Sequence, residues 1–62
     1  MMSSESLEPM DGCPKGCPQE SCDAIYAYFK QRYDECADQT CRDSIRDQYK
    51  QAWETCTVPA NA

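Results

Sequence analysis

The stretch that decides the fold runs from Cys22 to Cys56 and reads CDAIYAYFKQRYDEC, then ADQT, then CRDSIRDQYKQAWETC. Its four cysteines bound two segments of similar length. Thirteen residues lie between Cys22 and Cys36, fourteen between Cys41 and Cys56, and four in the connection. The sequence therefore predicts two similar elements joined by a short turn.

The apolar residues of both segments recur at helical spacing. In the first segment they are Cys22, Ile25, Tyr26, Phe29, Tyr33 and Cys36. In the second they are Cys41, Ile45, Tyr49, Ala52, Trp53 and Cys56. Each set follows one face of an α-helix, and neither segment contains glycine or proline. We predict helices over about 19–36 and 41–56. A hydroxyl at Thr40, three residues before Asp43, indicates a helix N-cap there.

The short connection predicts that the two helices are antiparallel neighbours, so the fold class is all-α, a disulfide-stabilised helical hairpin. Within one helix, Cys22 and Cys36 would lie about 21 Å apart along the axis, whereas a disulfide needs Cα atoms within roughly 7 Å. We therefore predict bonds Cys22–Cys56 and Cys36–Cys41 across the hairpin. The remaining Cys13 and Cys17 are predicted to pair with each other.

The hairpin is predicted to occupy residues 13–56, flanked by tails. Residues 1–12 are rich in serine and acidic residues, with Leu7 as their one aliphatic side chain besides the methionines, and are expected to form a flexible acidic tail. Residues 13–20 contain Pro14, Gly16 and Pro18 and are predicted to be a loop up to Pro18. Pro59 marks the start of a C-terminal tail over 57–62.

Composition limits the classes of function. A 62-residue chain makes one small domain, and its six cysteines indicate a disulfide scaffold from an oxidising compartment. A net charge of −5 argues against nucleic-acid and anionic-membrane partners. The acidic charge is compatible with a protein partner that has a basic surface, or it serves only to keep the protein soluble. The first residues lack a signal-peptide pattern, so we expect either prior removal of a signal or entry by another route, such as into the mitochondrial intermembrane space.

Two helical segments bounded by cysteines resemble the twin Cys-xn-Cys, or coiled-coil-helix-coiled-coil-helix, proteins of that compartment. The resemblance covers residues 22–56, with cysteine spacings longer than the family's common one. It implies recognition by an import oxidoreductase, which reads a cysteine with an aromatic residue three positions away and a large hydrophobe seven positions away. The matching residues here are Phe29, Tyr33 and Cys36 in one helix and Tyr49, Trp53 and Cys56 in the other. Core aromatics at helical spacing would give the same pattern.

Other chemistry is weakly supported. Cys13 and Cys17 form a close pair that could bind a soft metal or carry redox chemistry, but a third disulfide is preferred, with no metal and no cofactor. The chain has no histidine, and a two-helix hairpin encloses no site for paired carboxylates, so no catalytic residue is assigned and an enzyme is not expected. Tyr28 lies off the apolar stripe and is a candidate contact for a protein partner.

Two functions follow as expectations. The first is a non-enzymatic accessory subunit or assembly factor of a respiratory or other mitochondrial complex, located in the intermembrane space and without membrane insertion. The second is a secreted disulfide-rich helical peptide, such as a pheromone, toxin or defence factor, that binds a receptor.

Overall fold

In a computed structural model, which describes residues 6–60, two antiparallel helices pack against each other. Helix α1 spans Gln19–Asp34 and helix α2 spans Gln39–Thr55. No strand occurs in the range 6–60. The predicted all-α hairpin is confirmed, with α1 ending two residues before its predicted end and α2 starting two residues before its predicted start.

The turn end of the hairpin, residues 35–41, is organised by short-range contacts. The Asp38 carboxylate accepts a hydrogen bond from the Cys41 backbone N–H at 2.9 Å and so caps the N-terminus of α2. The sequence favoured Thr40 as the cap, but Asp38 is the residue with extended backbone just before the helix, where a side-chain oxygen reaches the third residue onward. Cys36 and Cys41 are bonded across this turn, as predicted.

The core is a single cluster between the helices. Its buried members are Leu7, Cys17, Cys22, Ile25, Phe29, Tyr33, Tyr49 and Trp53. Its centre is Tyr49, whose ring lies 5.8 Å from those of Tyr26 and Trp53 and 6.1 Å from that of Phe29, between ring centroids. Tilted and edge-on aromatic pairs of this kind stabilise a core beyond simple burial. The predicted apolar stripes thus form the helix interface.

Residues 6–10 lie against the hairpin, which the sequence did not predict. Leu7 is 4% exposed in the core, and its carbonyl accepts a hydrogen bond from the Tyr26 hydroxyl at 2.7 Å. The Met10 backbone N–H donates to the Tyr49 hydroxyl at 3.1 Å. Of the tail predicted for residues 1–12, residues 1–5 lie outside the described residues, and residues 6–10 form what we call the N-terminal strap.

At the open end of the hairpin, where α1 begins and α2 ends, two of the three observed disulfides differ from the predicted ones. Cys13 is bonded to Cys22, with Cα atoms 6.2 Å apart, and Cys17 is bonded to Cys56, at 5.7 Å. The predicted bonds Cys22–Cys56 and Cys13–Cys17 were therefore wrong. The loop 13–17 was expected to form a separate unit, whereas it folds over the end of the hairpin and bonds Cys13 to Cys22 in α1 and Cys17 to Cys56 at the end of α2.

Candidate functional site

The candidate site is the open end of the hairpin, where four cysteine sulfur atoms lie close together. The Sγ atoms of Cys13, Cys17 and Cys22 all lie within 4.8 Å of one another, and Cys56 joins them through its bond to Cys17. The two cystines are in contact, because Sγ of Cys17 and Sγ of Cys22 are 3.6 Å apart. We call these four residues the sulfur cluster.

A tight turn in the loop places Cys17 in the cluster. The Cys17 N–H donates to the Pro14 carbonyl at 3.1 Å, and Gly16 has a φ of 82°. This is a β-turn with glycine at its third position, where a positive φ disfavours other residues. The turn brings the chain back toward Cys13 just before α1 begins, so both loop cysteines reach the helices.

The helices supply the other two cysteines from opposite ends. Cys22 lies in the first turns of α1, whereas Cys56 follows the last residue of α2 and adopts a left-handed conformation with a φ of 54°. The next residue closes that helix end, since the Thr57 N–H donates to the Ala52 carbonyl at 2.9 Å. The cluster therefore links the start of α1, the end of α2 and the preceding loop.

Exposure divides the cluster into two kinds of sulfur. Cys22 is 1% exposed and Cys17 is 8% exposed, whereas Cys13 and Cys56 are partly exposed. Each disulfide thus joins one inner cysteine to one outer cysteine. The contact between the two bonds is made by the inner pair.

The spacing of these sulfurs resembles that of a thiolate metal site, but all six cysteines are in disulfides. Metals bind thiolates, and a disulfide sulfur carries no thiolate charge. The expectation of no metal and no cofactor is not tested and stays a prediction.

The residues of the two import-like patterns are distributed over core and ends. Phe29, Tyr33, Tyr49 and Trp53 are buried in the helix interface, between 2% and 7% exposed. Cys36 is bonded at the turn end and Cys56 at the open end, so the fold does not gather the two patterns into one surface.

Tyr28, the candidate partner contact, is half-buried on α1. Its ring packs edge-on against Phe29 at 4.9 Å between centroids, and the Arg32 guanidinium lies 5.0 Å from its centroid. A cation over an aromatic ring at this distance is attractive. Tyr28 and Arg32 therefore form an aromatic and basic patch beside the core.

The environment of the Tyr49 hydroxyl raises its pKa. Burial raises the pKa from its usual 10.0, the hydrogen bond from the Met10 N–H lowers it, and the nearby Tyr26 raises it. The net direction is upward. Tyr49 therefore stays neutral while it joins the strap to the core.

Sequence reasoning found all four cysteines of the cluster but paired them wrongly, and it missed the strap. The signal that could have found the strap is Leu7, an aliphatic residue isolated in a polar segment. Nothing in the spacing of the cysteines distinguishes the observed pairing from the predicted one.

Comparison with protein-family models, with curated proteins and with solved structures finds no match to this chain. A two-helix hairpin with three disulfides is compatible with the resemblance to the twin Cys-xn-Cys proteins. Among residues 6–60, neither helix has the length and apolar character needed to cross a membrane.

Proposed function

We propose that this protein is a non-enzymatic interaction protein of the mitochondrial intermembrane space, acting as an accessory subunit or assembly factor of a respiratory or other mitochondrial complex. The observation that carries the proposal is a cysteine-bounded helical hairpin in which an aromatic residue and a large hydrophobe precede Cys36 and Cys56 by three and seven positions. A protein partner is part of the proposal, because the chain has few means of catalysis without histidine.

The charge of the surface supports binding to a protein partner. Its charged residues are mostly acidic, with seven acidic and five basic residues between 21 and 56. Two exposed ion pairs, Lys30 with Asp34 at 3.2 Å and Arg46 with Asp43 at 3.6 Å, leave other acids such as Asp23 and Asp47 without a basic partner at salt-bridge distance in the described chain. A partner with a basic surface would complement this charge.

Import into isolated mitochondria tests the proposal. The reduced full-length chain is added, and import is compared for Cys36→Ser, Cys56→Ser and Cys13→Ser. We expect loss of import, and of a mixed disulfide with the import oxidoreductase, in at least one of the first two variants. Cys13→Ser is the matched control, because Met10 and Ser6 stand three and seven positions before it and provide no aromatic pattern. Equal import of all three would overturn the proposal.

The alternative is a secreted peptide that binds a receptor, favoured by the same small size and three disulfides. The encoding transcript and the cell fraction containing the chain distinguish the two. A longer precursor with a signal peptide, and the processed chain in the medium, would support secretion. Recovery in the mitochondrial fraction would support the first proposal, and affinity purification from the native organism would then identify the partner.

A further inference from the structure

The two cystines of the sulfur cluster contact each other through one sulfur atom of each. Their inner sulfurs, Cys17 and Cys22, are buried and 3.6 Å apart, and their outer sulfurs, Cys13 and Cys56, are partly exposed. We propose that Cys13 and Cys56 are reaction sites for a small thiol, and that attack at either one forms a new Cys17–Cys22 disulfide and frees the other.

The proposed reaction is thiol–disulfide exchange in two steps. A thiolate attacks Sγ of Cys13, which breaks the Cys13–Cys22 bond, forms a mixed disulfide on Cys13 and leaves the electron pair on Cys22. The Cys22 thiolate then attacks Sγ of Cys17, which forms Cys17–Cys22 and releases Cys56 as a thiolate that takes a proton from water. The number of disulfides, counting the mixed one, is unchanged.

Attack at the other outer sulfur gives the same new bond. A thiolate that attacks Cys56 releases Cys17, which attacks Cys22 and frees Cys13. A second thiol molecule then removes the mixed disulfide. In total, two thiols become one disulfide, and the protein gains two thiols, at Cys13 and Cys56.

Burial decides which sulfur atoms are attacked first, because exchange requires that the attacking thiol can reach the sulfur. Cys22, at 1% exposed, and Cys17, at 8%, are shielded, so the thiol reaches the outer cysteines first. The thiolate released on Cys22 lies near the N-terminus of α1, where the helix dipole stabilises negative charge. Outside its own bond it contacts the disulfide sulfur of Cys17, 3.6 Å away.

The exchange would release the covalent link between the ends of the two helices. Cys17–Cys56 spans 39 residues and ties the end of α2 to the loop before α1. Cys17–Cys22 would span five residues, so the only covalent link left between α1 and α2 would be at the turn end, and the core would hold the open end by packing alone. In this proposal a small thiol at the surface breaks the covalent link between the loop and the end of α2. The reaction does not depend on which partner the protein binds.

Limited reduction with glutathione tests the proposal. The oxidised full-length chain is treated at pH 8, quenched with acid, alkylated with N-ethylmaleimide and mapped by peptide mass spectrometry. In molecules that gained two labels and kept Cys36–Cys41, we expect the labels on Cys13 and Cys56, with a Cys17–Cys22 cross-link. Labels mainly on Cys13 and Cys22, or on Cys17 and Cys56, would show direct reduction of one cystine and overturn the proposal.

Two double variants control the experiment. In Cys17→Ala/Cys56→Ala the acceptor disulfide is absent, so the labels should shift to Cys13 and Cys22. In Cys36→Ala/Cys41→Ala the sulfur cluster is intact, so the labels should stay on Cys13 and Cys56. Far-UV circular dichroism establishes that each variant is helical. If a variant is not helical, the positions of the labels in the wild-type protein still decide the proposal.

Discussion

The two ends of the hairpin are closed in different ways. At the turn end, Cys36 and Cys41 are five positions apart, and one disulfide and one cap suffice. At the open end, two disulfides join three separate parts of the chain, the loop before α1, the start of α1 and the end of α2. The turn end is closed by local contacts, whereas the open end depends on how distant segments fold together.

The largest expected difference between the two ends comes from removing one disulfide at each. The chain-entropy model assigns about 4 kcal/mol to a bond that closes a loop like that of Cys17–Cys56 and about 2 kcal/mol to one like Cys36–Cys41. We expect Cys17→Ala/Cys56→Ala to lower the free energy of unfolding about twice as much as Cys36→Ala/Cys41→Ala, measured by guanidinium denaturation. Equal losses would mean that the open end owes its stability to packing rather than to the long link.

The same contrast explains what the sequence could predict. Helical periodicity and the short connection were sufficient for both helices and for Cys36–Cys41, because these depend on residues close in the chain. The pairing at the open end depended on the turn at Gly16, which brings Cys17 against Cys22 and Cys56. No sequence pattern ranks Cys22–Cys56 below Cys17–Cys56, since either bond satisfies the helix geometry.

The strap, like the open end, depends on contacts between residues far apart in the chain. Replacing Leu7, its buried residue, should have the next largest effect on the free energy of unfolding. Leu7→Ala removes a side chain that is 4% exposed in the core. Core Leu→Ala changes cost about 2–5 kcal/mol, and we expect about 2 kcal/mol here because a strap near the chain end can relax into the space. Val58→Ala is the control, since Val58 is 40% exposed. It should change the free energy of unfolding by less than about 0.5 kcal/mol. Similar losses in both variants would place Leu7 outside the stable core.

The cap at the turn end should have a smaller effect. Asp38→Ala removes the acceptor for the Cys41 N–H and should lower the free energy of unfolding by about 1 kcal/mol, as measured by thermal unfolding. Thr40→Ala is a matched control, because Thr40 is exposed and lies inside α2 rather than before it. A larger loss for Thr40→Ala would restore the cap that the sequence favoured and contradict the assignment to Asp38.

At neutral pH we expect Tyr49→Phe to have an effect similar to that of Asp38→Ala, because it keeps the ring and removes only the acceptor for the Met10 N–H. A hydrogen bond of this kind contributes about 1 kcal/mol. Tyr49→Phe should also change how the free energy of unfolding depends on pH, because burial raises the pKa of Tyr49 in the folded protein. Below pH 10 both states hold the proton and the contribution is constant. Above pH 10 the unfolded chain loses the proton first, so the free energy of unfolding falls as pH rises.

Urea denaturation between pH 8 and pH 11 measures this slope. Tyr49→Phe should make the decline less steep, because one group that binds its proton more tightly in the folded state is gone. Tyr28→Phe keeps Tyr49 and its contact with the strap, so it should keep the wild-type slope. A wild-type slope in both variants would contradict a raised pKa of Tyr49 in the folded protein.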